Sequence, residues 1–371
     1  MRRSRQIAAS GVHVVRGVLK DYAWGAVDGL SRWTGESTGG PQAELWFGAH
    51  PAGPSPVAHG PDTGRTLADL PEHAGMPLVK ILAASTPLSL QVHPDPETAA
   101  VGWSRQADQP RETWLYSDDA EKREMLVALT AFDVHAGWRD PEEAADVFAR
   151  AGAPESLVRT VATADRRDAV RAVLDLDRAE CARIEPQLVA AATAAGWSSS
   201  AVSALARVAA THPADPGVLV AVLLDHATLA PGEGVAVPAG VIHSYVAGLA
   251  VEVMTSSDNV LRLGLTPKPV AVEEALAAVR TDRHPMPLGG FVGEVLDPPG
   301  MPFDLVIADQ PVRVPTGTHR VVLSLHGETR VTGAGSGDVS LAEGEAAVAA
   351  PGEADLVVEP EGSAVVVTGV A

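Results

Sequence analysis

Gln91 and His93 stand two residues apart at the end of an apolar run, in the stretch SLQVHPD from Ser89 to Asp95. On a strand, side chains two positions apart share one face. His243 follows a proline–glycine turn in PAGVIHSY, Pro238 to Tyr245, again in strand-like sequence. Two short strands far apart in sequence, each carrying inward polar donors, predict a metal site inside a β-barrel. Nitrogen and oxygen donors with no cysteine beside them suit a catalytic divalent ion better than a closed structural zinc site.

Several kinds of element must position these residues. Residues 1–136 are rich in Gly, Pro and short apolar runs (76–82, 88–92 and 126–129), which read as strands and turns. The character changes at Asp140-Pro141-Glu142-Glu143, a helix start with Asp as cap, Pro at the first helical position and acids in the first turn. From there to about Leu224 the chain is Ala-rich with helical periodicity at Leu174, Ala179, Ala182, Ile184, Leu188 and Ala191, and Asp215-Pro216 opens a further helix. Strand character returns at Thr228 and alternates through 234–237, and another helix is expected over 272–280. Residues 291–371 are Val- and Gly-rich with turn signals at 333–337 and at Gly344, the spacing of a sandwich or barrel. The predicted division is a catalytic barrel from 1–136 and 225–290, a helical insert at 137–224 and a C-terminal jelly roll at 291–371.

A chain of 371 residues can hold two or three such units, each with its own core. The net charge of −19 argues against nucleic acid or an anionic membrane as a partner, although a local cluster of Arg and Lys can still attract an anionic small molecule. One cysteine, Cys181, excludes an intrachain disulfide and fits a reducing cytoplasm. The basic start MRRSRQIAASGVHVV is broken by Ser10, Gly11 and His13 and is read as no signal peptide; no run approaches the ~20 apolar residues of a membrane span.

The spacing Gly232-x5-Pro238-x-Gly240-x2-His243 resembles the second motif of cupin jelly rolls, whose His is a metal ligand. Near the C-terminus Gly344-x5-Ala350-Pro351-Gly352-x2-Asp355 nearly repeats it, with Asp355 in the His place. A second barrel of the same type, without a metal, is the expectation.

Seven stretches then match one family in order and spacing: YAWG (22–25), AELW (43–46), LVKIL (78–82), LSLQVHPD (88–95), KREMLVALTAF (122–132), PAGVIHSY (238–245) and SSDNVLRLGLTPK (256–268). The chain resembles the type I phosphomannose isomerases over essentially its whole length. That resemblance implies cupin jelly-roll barrels with a helical domain, one Zn2+ per chain held by Gln91, His93, Glu124 and His243, and a catalytic arginine at Arg262. It also implicates Lys122, Glu252 and Asp258 in catalysis, and Lys268 and Trp24 in substrate binding. Where relatives read His-Lys-Pro-Glu-Met, this chain has Glu121-Lys122-Arg123-Glu124-Met125, and Leu263 replaces a small residue, which would narrow the pocket beside Arg262. The implied activity is interconversion of mannose 6-phosphate and fructose 6-phosphate in the cytoplasm by a monomer. Two alternatives stay open: another metal-dependent cupin enzyme, and a silent sugar-phosphate binder.

Overall fold

The computed structural model describes residues 11–59, 62–290, 292–333 and 337–369. The basic start at 1–10 and the centre of the glycine-rich turn, 334–336, lie outside the described residues.

The long strand His243–Met254 is the spine of the first sheet. It pairs antiparallel with Phe132–Trp138 and, at His243, with Gln91. Further along, its two neighbours are Leu78–Ala84 and Glu124–Ala128. The change of partner falls at Gly248, whose φ of +137° only glycine adopts without strain. A Cβ there would come within 2.5 Å of the Phe132 ring. Leu90–Val92 and Leu261–Gly264 form a short ladder in which Arg262 lies opposite Gln91.

Helices Pro141–Arg150, Glu155–Thr163, Arg166–Leu174, Arg178–Ala194, Ser199–Thr211 and Pro216–Ala221 fill the expected insert. Asp140 caps the first by accepting from the backbone N–H groups of Glu142 and Glu143. In Arg178–Ala194 the buried stripe is Cys181, Ile184, Leu188, Ala191 and Ala192, while Ala179 and Ala182 face solvent. This helical core is continuous with Leu90, Val92, Leu261 and Leu263. Strand alternation therefore turns Gln91 and Arg262 the other way. Leu263 packs under the helices and does not narrow the pocket, correcting the expectation from sequence. The strand-and-turn reading of 1–136 also passes over the helix Pro96–Gln106, whose Asp95–Pro96 start repeats the device at Asp140–Pro141. The expected helix at 272–280 is present as Val272–Ala278.

The C-terminal region forms a seven-stranded and a four-stranded sheet around a core that includes Val322, Val331, Val358 and Val366. The other face of the seven-stranded sheet packs Val321, Leu323 and Val365 against Leu45, Phe47, Val79 and Ile81 of the first unit. Two strands of that sheet come from the other end of the chain: Val12–Arg16 pairs with Glu345–Ala349 and with Val57–His59. We propose the same three-part division, with those two segments assigned to the C-terminal unit. Among the described residues no helix is long and apolar enough to cross a membrane.

A chain of imidazoles marks the seam between the two β units. Asp62 Oδ2 lies 3.1 Å from His13 Nε2, and His13 Nδ1 lies 2.9 Å from His73 Nε2. Burial, followed by the neighbouring His13, lowers the pKa of the fully buried His73 to about 4. The unfolded imidazole binds its proton near pH 6.5 and the native one only near 4, so the penalty is absent above about pH 6.5 and grows as pH falls. Stability measured by urea unfolding is expected to fall by about 3 kcal/mol between pH 7 and 4 from this group, because each tenfold weakening of proton binding is worth about 1.36 kcal/mol. His73→Gln, which keeps a hydrogen bond to His13 without titrating, should flatten that slope; an unchanged slope would contradict the assignment.

Candidate metal centre and cleft

Gln91 lies on Leu90–Val92 and His93 just beyond it, while Glu124 and His243 each begin a strand. His93, Glu124 and His243 are buried, with donor atoms within 4.8 Å of one another. His93 Nε2 stands 3.2 Å from Glu124 Oε1, and His243 Nε2 stands 3.4 Å from Glu124 Oε2. The opposite ring nitrogens face carbonyls: His93 Nδ1 is 2.7 Å from Asn259 O, and His243 Nδ1 is 3.1 Å from Val241 O. Each carbonyl keeps the proton on Nδ1 and leaves a lone pair on Nε2 directed at the carboxylate.

His93 Nε2 is buried without a hydrogen-bond partner. Burial lowers the His93 pKa to about 4, so the ring is a neutral donor. Burial alone would raise Glu124, but the Lys122 ammonium, 2.8 Å from Oε1, and His93 outweigh it and hold the carboxyl well below its usual range. Two imidazole nitrogens and a carboxylate converging in a buried site are the donor set of a divalent ion, and the residues fit zinc. Gln91 differs in detail from the expectation. Its Oε1 accepts from Ser89 Oγ at 2.8 Å, and its Nε2 faces His243 Nε2 at 3.3 Å. Rotating the amide by 180° exchanges the two atoms and brings the oxygen to the cluster.

The centre opens into a cleft of about 630 Å³. Trp24, Lys122, Glu252, Asp258, Arg262 and Lys268 all line it, so the catalytic and substrate-binding candidates from sequence share one cavity. Arg262 is half-buried and Lys268 sits at the rim; among the described residues neither is paired with a carboxylate. Burial lowers the Arg262 pKa, and burial followed by the Arg262 charge lowers that of Lys268, so both would gain from an anion in the cleft.

Sequence reasoning missed an ion cluster on the same wall. Lys80 is the one charged residue in the fully buried strand Leu78–Ala84. Its Nζ is 2.7 Å from Glu252 Oε2 and 3.9 Å from Glu44 Oε1, while Glu44 Oε2 accepts the Trp46 indole N–H. Burial alone would depress the Lys80 ammonium, but the Glu252, Glu44 and Glu124 carboxylates raise it, so it stays charged. Burial also raises Glu252, against the pull of Lys80. A lysine amid seven buried strand positions was the available signal. Glu121 and Arg123 leave the cleft. They pair with each other at 2.6 Å, and Arg123 also donates to the Gly300 carbonyl in the connection to the C-terminal unit.

Residues 13–141 match the family model for the phosphomannose isomerase type I catalytic domain. Mannose-6-phosphate isomerase of Schizosaccharomyces pombe is 34% identical over 293 residues, covering 67% of this chain and 69% of that protein. The Salmonella typhimurium mannose-6-phosphate isomerase is 30% identical over 309 residues, covering 76% of each. A crystal structure of zinc-bound mannose 6-phosphate isomerase superposes with a TM-score of 0.81 at 24% identity, covering 98% of this chain and 100% of that one. A Salmonella phosphomannose isomerase variant gives 0.83 at 23% identity, covering 97% and 100%. These two likenesses establish the fold.

Proposed function

The chain belongs to the type I phosphomannose isomerase family, and from that premise we propose that it interconverts mannose 6-phosphate and fructose 6-phosphate in this cleft. The observation that carries the reading is the buried His93–Glu124–His243 donor set on a cleft that also presents two cations without carboxylate partners. Zinc held by these residues and Gln91, when bound, would polarise the sugar oxygens beside the enolising carbon.

The protein's own groups supply the rest. Lys268 at the rim offers its ammonium to the phosphate, with Trp24 walling the same cleft. Arg262 presents a planar guanidinium to the two oxygens on which negative charge develops as C2 loses its proton to give an enediolate. Glu252, whose carboxyl burial moves up from its ordinary range, takes that proton from C2 and returns it to C1, while the hydroxyl proton on O2 passes to O1. Lys122 offsets the Glu124 charge. Asp258, half-exposed, serves the ring-opening step that moves a proton from the anomeric hydroxyl to the ring oxygen. The same reading makes the protein a cytoplasmic monomer acting on a small sugar phosphate, without nucleic acid or membrane partners; the single cysteine fits the cytoplasm, and the net charge argues against nucleic acid and anionic membrane.

A coupled assay on mannose 6-phosphate before and after chelation tests the proposal. Turnover that chelation abolishes and zinc restores is the expected result, and no turnover in the metal-loaded protein would overturn it. The Asp355 carboxylate at the C-terminal echo accepts from Arg313 at 2.7 Å and from the Thr316 N–H at 2.9 Å. Asp355→Ala is therefore expected to leave turnover and metal content at the level of the unsubstituted protein. A large loss of either would mean that the C-terminal unit takes part in the chemistry.

A further inference from the structure

Resting on the isomerase reading, we propose that His50 is a positioning residue for Asp258, orienting that carboxylate for proton exchange with a sugar hydroxyl. Among the described residues four carboxylates line the cleft: Glu44, Glu124, Glu252 and Asp258. Three are engaged. Glu124 belongs to the metal donor set and meets Lys122, Glu252 holds Lys80, and Glu44 takes the Trp46 indole and faces the same ammonium. Asp258 has no lysine or arginine partner among the described residues, and its Oδ2 stands 3.4 Å from His50 Nε2.

The imidazole is built to donate. His50 Nδ1 accepts the backbone N–H of Ala52 at 3.2 Å, so a neutral ring carries its proton on Nε2, the nitrogen facing Asp258. Trp46 packs edge-on against the ring with centroids 5.3 Å apart, and His50 is only 4% exposed. Burial lowers its pKa, and Lys80 and Lys122 add to this while Asp258 and Asp118 oppose it. A neutral donor can orient a carboxylate without cancelling its charge.

The backbone side of Asp258 is fixed as well. Its N–H donates to Asp118 Oδ2 at 3.1 Å, and the flanking Ser257 Oγ and Asn259 Nδ2 donate to Asp118 Oδ1 at 2.8 and 3.0 Å. The Asp258 side chain itself is 44% exposed. A substrate can therefore reach Asp258, whereas His50 does not line the cleft and must act through it.

The test uses the full, zinc-loaded chain, with His50→Phe keeping the packing volume and removing the donor. His50→Phe is expected to lower kcat about 10-fold or more while KM stays within about threefold, since a misplaced catalytic group is felt in the transition state. His50→Gln, whose amide N–H reaches toward Asp258 but cannot titrate, should recover most of kcat. Adding His50→Phe to Asp258→Asn should cost nothing further, with metal content unchanged throughout. The inference is overturned if His50→Phe turns over like the unsubstituted protein, if His50→Gln is as slow as His50→Phe, or if the two losses multiply. No turnover in the unsubstituted protein would instead overturn the isomerase reading, and this inference with it.

Discussion

Replacing His243 by alanine is expected to abolish bound metal and isomerase turnover together. His243 is fully buried, and its Nε2 is one of three His or carboxylate donors in the cluster among the described residues. The Val241 carbonyl holds its tautomer, so the lone pair is already directed before any ion arrives. Alanine would leave His93, Glu124 and the weak amide oxygen of Gln91, too few strong donors to keep a catalytic ion in its geometry. Metal analysis after dialysis should fall from about one ion per chain to near zero, and turnover to below about 1%, beyond the ~100-fold loss usual for an outer-shell change. Full metal occupancy in the variant would remove His243 from the ligand set.

Arg262→Lys should divide the kinetic constants unequally. Lysine keeps the positive charge but loses the planar two-point donor. If Arg262 meets charge that exists mainly in the transition state, kcat falls while KM moves little. The expected fall is on the order of 10²-fold or more, the scale of losing one oxyanion donor. Metal content should not change, because Arg262 neighbours Gln91 on the adjacent strand without belonging to the buried donor cluster. A kcat that survives with a raised KM would make Arg262 a ground-state phosphate anchor.

What sequence reasoning could read was local. Asp140–Pro141 announces a helix because a side-chain acceptor and a missing N–H meet the needs of a first turn, and the same logic at Asp95–Pro96 was open to use. Gln91 and His93 were legible from alternation, with family resemblance adding Glu124 and Arg262. Alternation also bears on Leu263, since neighbours of Arg262 along a strand must face away from the cleft. Lys80 stood out in its apolar run, but its partners were not legible, because they depend on register between strands. Lys80 lies opposite Glu252 in one ladder and opposite Trp46 in another, and no local pattern encodes either pairing. The ordered motifs likewise could not say that Glu121 and Arg123 turn to each other and to the connection at Gly300.

The strand Val12–Arg16 completes its ladder with Glu345–Ala349, close to the opposite end of the chain. Its other neighbour, Val57–His59, is synthesised soon after it, whereas Glu345–Ala349 follows only after all of the intervening chain. At the usual ~5–20 residues per second the interval is on the order of tens of seconds, far longer than secondary structure takes to form. During that time Val12, Val14 and Val15, all buried in the finished fold, have no sheet to enter through that edge. Any nascent chain arrested before residue 345 carries this apolar strand with one edge unpaired, a mark that distinguishes unfinished copies from complete ones.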